Sequence, residues 1–110
     1  MLKKKKKAIK NKKGRESKKV KGILKSTKPE FYFRLIDGSE IKNLLELVDS
    51  LDSMSEDVFH YHVNSQRNDF SNWIKDIFNK KDLADDISMK DNKLETEATI
   101  LRHLVKELAR

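Results

Sequence analysis

The apolar positions of this chain follow two different spacings, and the change from one to the other separates two kinds of predicted element. Residues 31–36 form an apolar and aromatic run that predicts a short β-strand. Asp37-Gly38 follows, a favoured pair for a tight turn with positive φ, and residues 39–41 are expected to return as a second strand. The pattern therefore predicts a small β-hairpin, in which Tyr32 is the aromatic residue that points outward.

From Asn43 onward the apolar residues take up the spacing of amphipathic helices. Asn43 or a neighbour is expected to cap the first helix, and the capping-box spacing from Ser53 to Glu56 predicts the start of the second. Residues 64–68 are expected to form the exit of the second helix, and Asn68 offers the cap of a third. The three apolar stripes are Leu44, Leu45, Leu47, Val48 and Leu51; Val58, Phe59, His62 and Val63; and Phe70, Trp73, Ile74, Ile77 and Phe78.

Two further segments are predicted near the C-terminus. Asp82 with Asp85 begins a short turn that contains Leu83, Ala84 and Ile87. The last segment, an amphipathic helix over about residues 92–109, begins with capping-box spacing from Asn92 to Glu95. The apolar stripe of the last helix is Leu94, Ala98, Leu101, Val105 and Leu108. We expect this helix to complete the core; the alternative is that it presents Leu101, Leu104 and Leu108 to another protein. The fold class is predicted as α+β and mostly α, a short N-terminal β-hairpin followed by four to five short helices.

The start of the chain differs in composition from the rest. Residues 1–30 hold fourteen Lys or Arg and two Glu, a net charge of +12, whereas residues 31–110 hold 11 basic and 16 acidic side chains, a net charge of −5. Only seven of the first thirty residues are apolar and none is aromatic, so they cannot bury enough surface to offset the entropy of ordering them. Residues 1–30 are therefore predicted to be a disordered basic arm, and residues 31–110 a small helical domain.

The arm is predicted to bind nucleic acid through its phosphates, because ammonium groups on flexible stems bind phosphate as point charges and release condensed counterions. Lysine outnumbers arginine thirteen to one in the arm, which disfavours bidentate recognition of guanine. The alternatives are a solvated tail, an acidic protein partner and an anionic membrane surface, the last disfavoured because the arm lacks an amphipathic stripe. The predicted phosphate-binding residues are Lys3, Lys4, Lys5, Lys6, Lys7, Lys10, Lys12, Lys13, Arg15, Lys18, Lys19, Lys21, Lys25 and Lys28.

No catalytic, metal or cofactor chemistry is predicted. The chain has no cysteine, no glycine-rich phosphate loop and no spaced metal motif. His60 and His62 are two residues apart, which turns them about 200° from each other on a helix, so they cannot share a metal ion. No apolar signal-peptide stretch follows the basic start, and no segment approaches the roughly 20 apolar residues that cross a bilayer. We therefore expect a non-enzymatic, cytoplasmic protein.

A set of short motifs resembles a known family. The motifs are Phe31-Tyr32-Phe33, Asp37-Gly38-Ser39, Ile41-Lys42-Asn43-Leu44, Met54-Ser55, His62-Val63-Asn64 and Asn68-Asp69-Phe70-Ser71-Asn72-Trp73-Ile74. Over about residues 29–88 they resemble a small domain of unknown function found in archaea and in bacteria. The resemblance implies a prokaryotic cytoplasmic module and supplies no activity.

Polar residues cluster at one predicted corner, between the second and third helices, and Trp73 follows them. This polar corner consists of His62, Asn64, Asn68 and Asp69. Asn and Asp there are expected to cap the entering helix, and His62 to bond a carbonyl freed at the end of the preceding one or to meet a carboxylate of the next. A structural role is favoured; the alternative is a recognition surface for a peptide or a nucleotide.

Two functions follow from these patterns. The first is a nucleic-acid-associated protein that compacts DNA or lies on structured RNA such as a ribosome, with the arm as its anchor. The alternative is a protein-interaction or adaptor module, whose acidic helical domain docks a partner while the arm keeps the chain in solution. A small enzyme would require a pocket at the His62 corner.

Overall fold

The computed structural model describes Gly22 and residues 24–109. Most of the predicted arm, residues 1–21, lies outside the described residues. The elements are a 3-10 helix at Pro29–Phe31, β1 at Phe33–Arg34, β2 at Glu40–Ile41, α1 at Leu44–Ser53, α2 at Glu56–His62, β3 at Val63–Asn64, β4 at Arg67–Asn68, α3 at Asp69–Phe78, α4 at Lys81–Ser88 and α5 at Lys93–Ala109. The predicted fold class, mostly helical with a short N-terminal hairpin, is confirmed.

The first hairpin forms where the Asp37-Gly38 pair predicted it. β1 and β2 are antiparallel, with Phe33 opposite Ile41, and Gly38 has a φ of 94°, a backbone conformation that glycine adopts without strain. The predicted strand over residues 31–36 is too long, because the chain before Phe33 turns into the 3-10 helix. That turn leaves Phe31 exposed, so Tyr32, which is half-buried, is not the outward aromatic residue that strand alternation predicted.

The predicted stripes of the first three helices and the short segment after them form most of the core. Leu45 is the exception, because its side chain is exposed. Val58, Ile77 and Phe78 are partly buried against the core. α1 begins at its predicted cap, because the Asn43 side chain accepts a hydrogen bond from the Glu46 amide at 2.8 Å. α2 begins two residues later than the capping-box spacing indicated: Ser55, not Ser53, accepts from the Val58 amide at 3.2 Å. The buried residues of α1 to α4 are Leu44, Leu47, Val48, Leu51, Phe59, His62, Phe70, Ser71, Trp73, Ile74, Leu83, Ala84 and Ile87.

A second hairpin, which the sequence did not predict, connects α2 to α3. β3 and β4 pair antiparallel, Val63 opposite Asn68 and Asn64 opposite Arg67. The segment is only two residues long on each side and carries mainly polar side chains, so it lacks the apolar alternation that identifies a strand. Its effect is to reverse the chain tightly, which brings the end of α2 next to the start of α3.

The last helix is present but its predicted core face is wrong. α5 packs against α1 and α4 through Thr96, Thr99, Ile100 and Leu104. The predicted stripe of leucine, alanine and valine lies on the outer surface of the helix instead. The buried threonines are tolerated because each hydroxyl is satisfied within the helix: Thr96 Oγ1 donates to the Asn92 carbonyl at 2.8 Å and Thr99 Oγ1 to the Glu95 carbonyl at 2.7 Å.

The end of the predicted arm belongs to the domain. The Thr27 amide donates to the Lys42 carbonyl at 2.9 Å. The side-chain amide of Asn43, the cap of α1, donates to the Leu24 carbonyl at 3.0 Å and contacts the Ser26 hydroxyl oxygen at 3.3 Å. The segment from Leu24 onward is therefore held against the start of α1, before the predicted boundary at residue 30.

None of the helices in the described part of the chain combines the length and the hydropathy that a bilayer crossing requires.

Candidate functional site

The polar corner forms as predicted, where the second hairpin joins α2 to α3. His62 ends α2 and is buried, Asn64 lies in β3, Asn68 ends β4, and Asp69 opens α3. The chain reversal between β3 and β4 brings the two ends of this segment together. What the corner can do depends on whether its polar atoms are free or already bonded within the domain.

His62 is bonded through both of its ring nitrogens. The Ile36 amide donates to Nε2 at 3.1 Å, so Nε2 carries the lone pair and the proton of the neutral ring lies on Nδ1. Nδ1 is 3.0 Å from Oδ2 of Asp69 and donates to it. The predicted bond from His62 to a freed helix carbonyl is wrong, because the Asp69 carboxylate takes that position; the predicted meeting of a histidine with Asp69 is confirmed.

The His62 ring is also enclosed by aromatic residues. Its centroid lies 5.0 Å from that of Phe33, 4.9 Å from that of Tyr61 and 5.5 Å from that of Phe70. The ring therefore ties the first hairpin to the ends of α2 and α3 as a packed element of the core. A general base must reach a proton on a substrate. His62 has neither a free nitrogen nor an open face through which to do so.

Asn64 and Arg67 close the C-terminal end of α2. The Asn64 side-chain amide donates to the carbonyls of His60 and Tyr61, both at 3.2 Å. Arg67 Nη2 donates to the same Tyr61 carbonyl at 2.8 Å, and Arg67 Nε lies 3.3 Å from Oδ2 of Asp69. Carbonyls at the end of a helix have no partner within the helix. Asn64 and Arg67 supply that partner, and Arg67 adds a second contact to the carboxylate that holds His62.

Asn68 joins two helices. Its Oδ1 accepts from the Ser71 amide at 3.0 Å, which caps α3 as predicted, and its side-chain amide donates to the Ile87 carbonyl in α4 at 2.9 Å. The Ser71 hydroxyl, also buried, donates to the Ala84 carbonyl at 2.7 Å. One asparagine thus satisfies a free amide of α3 and a carbonyl of α4, which fixes the angle between these helices.

Trp73 is a core residue, as the helical stripe predicted. Its Nε1 donates to the Phe31 carbonyl at 2.8 Å, which fastens the 3-10 helix to α3. Its ring meets Phe33 and Phe78 edge to face, with centroids 5.6 Å and 5.0 Å away. An indole that is buried and bonded in this way has no face left for a nucleobase.

The side chains of His62, Asn64 and Asn68 therefore make their hydrogen bonds within the domain. In the described part of the chain, no buried side-chain nitrogen or oxygen lacks a hydrogen-bond partner. Within the same residues, no group of three or more His, Asp or Glu side chains could hold a metal ion. The contacts that the residue pattern does not predict are those of the Arg67 side chain and of two backbone groups, the Ile36 amide and the Phe31 carbonyl. No side-chain motif marks such groups, since their position depends on the tertiary fold.

The fold lowers the pKa of the Asp37 carboxyl, which lies in the first hairpin. The Ser39 amide donates to its Oδ1 at 2.9 Å, and this bond, with a further one from the Ser39 side chain, lowers the pKa of Asp37 from 3.8. The group is fully exposed, and its ionised form helps to hold the turn that Gly38 makes.

The basic arm is the other candidate site, and two of its fourteen predicted residues lie in the described part of the chain. Lys25 and Lys28 are both exposed, on the segment that is held against the start of α1. Lys42 lies nearby along this edge, with Nζ 5.8 Å from the centroid of the Tyr32 ring. The remaining predicted residues, from Lys3 to Lys21, lie outside the described residues.

A family model matches residues 26–108 of this chain. The chain belongs to the family of unknown function DUF5752. The match covers the two hairpins and all five helices described above, so it extends past the resemblance over residues 29–88 and includes α5. It leaves most of the basic arm outside the DUF5752 domain. Comparison with curated proteins and with solved structures gave no match.

Proposed function

We propose that this protein is a non-enzymatic, nucleic-acid-associated protein whose arm binds the phosphate backbone without sequence preference. The observation that carries the proposal is the division of charge, +12 in residues 1–30 against −5 in the remainder. A cluster of lysines gains affinity by releasing counterions from nucleic acid. The acidic remainder opposes that attraction, so the contact is assigned to the arm and not to the domain surface.

The state of the polar corner supports the same assignment. A recognition surface for a nucleotide needs donors and acceptors that point outward, whereas His62, Asn68 and Trp73 use theirs within the domain. Compaction of DNA in the nucleoid and association with ribosomal RNA are the two cytoplasmic roles that such an arm fits. Binding to duplex DNA and to structured RNA at equal ionic strength distinguishes them.

The test is the dependence of affinity on salt for matched charge variants of the full chain. The arm variant replaces the lysines at residues 3–5 with glutamine. The control replaces three exposed lysines of the domain, Lys75, Lys81 and Lys106, with glutamine, so both variants lose the same charge. For duplex DNA the slope of log K against log salt changes by about 0.9 for each phosphate that the protein no longer neutralises.

We expect the slope of the arm variant to fall by about 2.7 and that of the control to stay near the wild-type value. Equal slopes for the wild type and the arm variant, measured on both DNA and RNA, would refute the role of the arm. A change in the control alone would place the phosphate-binding surface on the domain instead.

The second candidate function, a protein-interaction module, is favoured by one specific observation, the apolar outer face of α5.

A further inference from the structure

α5 carries an apolar stripe that the domain does not cover. We name this stripe, Leu94, Ala98, Leu101, Val105 and Leu108, the α5 seam. Leu94 is 75% exposed, Leu101 40%, Val105 62% and Leu108 45%, and Ala98 is exposed as well. A helix that belongs to a stable domain normally turns its most apolar face inward. α5 turns two threonines inward and four large aliphatic side chains outward.

The spacing of the α5 seam is that of a coiled coil. Successive members are four, three, four and three residues apart, which is the alternation of the a and d positions of a heptad over two repeats. Leu94, Leu101 and Leu108 fall at d, and Ala98 and Val105 at a. In parallel coiled coils, leucine at d with a β-branched residue at a favours two strands, and Val105 is such a residue at one of the two a positions. At 100° per residue, the centre of the seam lies about 140° around α5 from its buried face.

The residues that flank the α5 seam complement each other between two parallel copies. In such a pair, a g residue of one helix lies beside the e residue five positions later in the other. Glu97 is at g and Arg102 is at e, so each copy offers one partner of two symmetric ion pairs. Neither takes part in an ion pair among the described residues.

We propose that the α5 seam pairs with the α5 seam of a second copy of this chain, as a short parallel two-stranded coiled coil. Two isolated helices of this length would be marginal in water because helix nucleation is costly. α5 does not face that cost, since Ile100 and Leu104 already hold it helical against α1 and α4. The seam is only about 21 Å long, given the helical rise of 1.5 Å per residue. An interface of this size gives a dimer that dissociates on dilution.

The oligomeric state of the full chain, freed of nucleic acid by nuclease and high salt, tests the proposal. Sedimentation equilibrium over about two decades of protein concentration is expected to show a reversible monomer–dimer equilibrium. Leu101→Asp places two like charges in the seam and should weaken the dimer by about 100-fold or more. The matched control is Leu45→Asp on α1, whose leucine is 39% exposed against 40% for Leu101.

Circular dichroism first establishes that both variants are folded, and Val105→Asp replaces Leu101→Asp if the latter is not. The proposal predicts that the control dimerises like the wild type. A wild-type chain that stays monomeric at the highest concentration overturns it. Equal weakening by Leu45→Asp and Leu101→Asp also overturns it, because the dimer would then not depend on the α5 seam.

Oxidative cross-linking tests the parallel orientation. Because the chain has no cysteine, a disulfide can form only between cysteines that are introduced. In a parallel pair Leu94 of one copy lies beside Leu94 of the other, so Leu94→Cys is expected to form an intermolecular disulfide. In an antiparallel pair these positions lie far apart at opposite ends of the interface. Lys106→Cys, which is off the seam, is the control. A dimer in which Leu94→Cys cross-links no faster than Lys106→Cys overturns the parallel arrangement.

Discussion

Replacing Asn68 with alanine removes two hydrogen bonds, one that caps α3 and one that connects this cap to α4. The first is the cap of α3, accepted from the Ser71 amide at 3.0 Å, and loss of such a cap costs about 1 kcal/mol. The second is donated to the Ile87 carbonyl at 2.9 Å and is part-buried, which adds about 1 kcal/mol. We therefore expect Asn68→Ala to lower the free energy of unfolding by about 2 kcal/mol. For a domain of this size that is roughly a third of the total.

The two contributions can be separated by a second substitution at the same position. Asn68→Ser keeps an oxygen that accepts from the Ser71 amide, but serine is too short to reach the Ile87 carbonyl. It should therefore lose about 1 kcal/mol, half of the effect of alanine. Asn72→Ala is the matched control, since Asn72 is exposed in the middle of α3 and alanine there favours the helix slightly.

Urea unfolding is the assay, followed by circular dichroism and by the fluorescence of Trp73, the single tryptophan of the chain. With a urea dependence of about 1 kcal/mol per M, a value typical of small domains, the midpoint of Asn68→Ala should fall by about 2 M. A midpoint within about 0.5 M of the wild type would refute the structural account of the polar corner. That result would favour the alternative, in which Asn68 belongs to a binding surface.

Two other substitutions test the remaining parts of the fold. His62→Phe keeps the packing but removes the hydrogen bonds of His62 with the Ile36 amide and the Asp69 carboxylate. We expect it to lower the free energy of unfolding in urea by about 2 kcal/mol. His60→Gln is the control and should be near neutral, because His60 is exposed. The fold lowers the pKa of Asp37 below its unfolded value of 3.8. The ionised carboxyl therefore stabilises the domain fully at a pH above 3.8, and this stabilisation is lost as the pH falls through the lower pKa of the folded state. The stability difference between wild type and Asp37→Asn should therefore shrink in acid, and thermal unfolding that shows a constant difference between pH 6 and pH 2 would contradict this account.

Local signals in the sequence were sufficient for the first hairpin, for the order of the helices and for most of the core. The stripe from Phe70 to Phe78 identified α3, and Asn43 and Asn68 were identified as caps because a short polar side chain precedes each stripe. The capping-box spacing indicates Ser53 as the cap of α2 because a glutamate lies three residues after it. A valine lies three residues after Ser55, the observed cap, so the motif does not identify it. α1 continues through Ser53, and Met54 is buried behind it, so the start of α2 depends on packing that a capping motif does not contain.

The error in α5 has a different cause. The helix has two candidate core faces, one with five aliphatic residues at regular spacing and one with only Ile100 and Leu104 beside two threonines. Hydropathy favours the first face. Each threonine, however, bonds a carbonyl of its own helix, which removes most of the cost of burying a hydroxyl and leaves its methyl group to pack. Which face turns inward is decided by the shape of the surface that α1 and α4 offer, and this is a tertiary property.

The regular spacing on α5 nevertheless carried information. A helix that packs inside one domain needs only a broad apolar face, whereas the strict alternation of four and three residues is required when two helices follow each other side by side. The more regular stripe was therefore the better candidate for a partner than for the core. α5 and the arm should therefore control two separate properties. Substitutions in the α5 seam should change the number of chains in the complex. Substitutions at residues 3–5 should change the salt dependence of nucleic-acid binding by each chain. Observing one variant that changes both would mean that the arm and the seam are coupled.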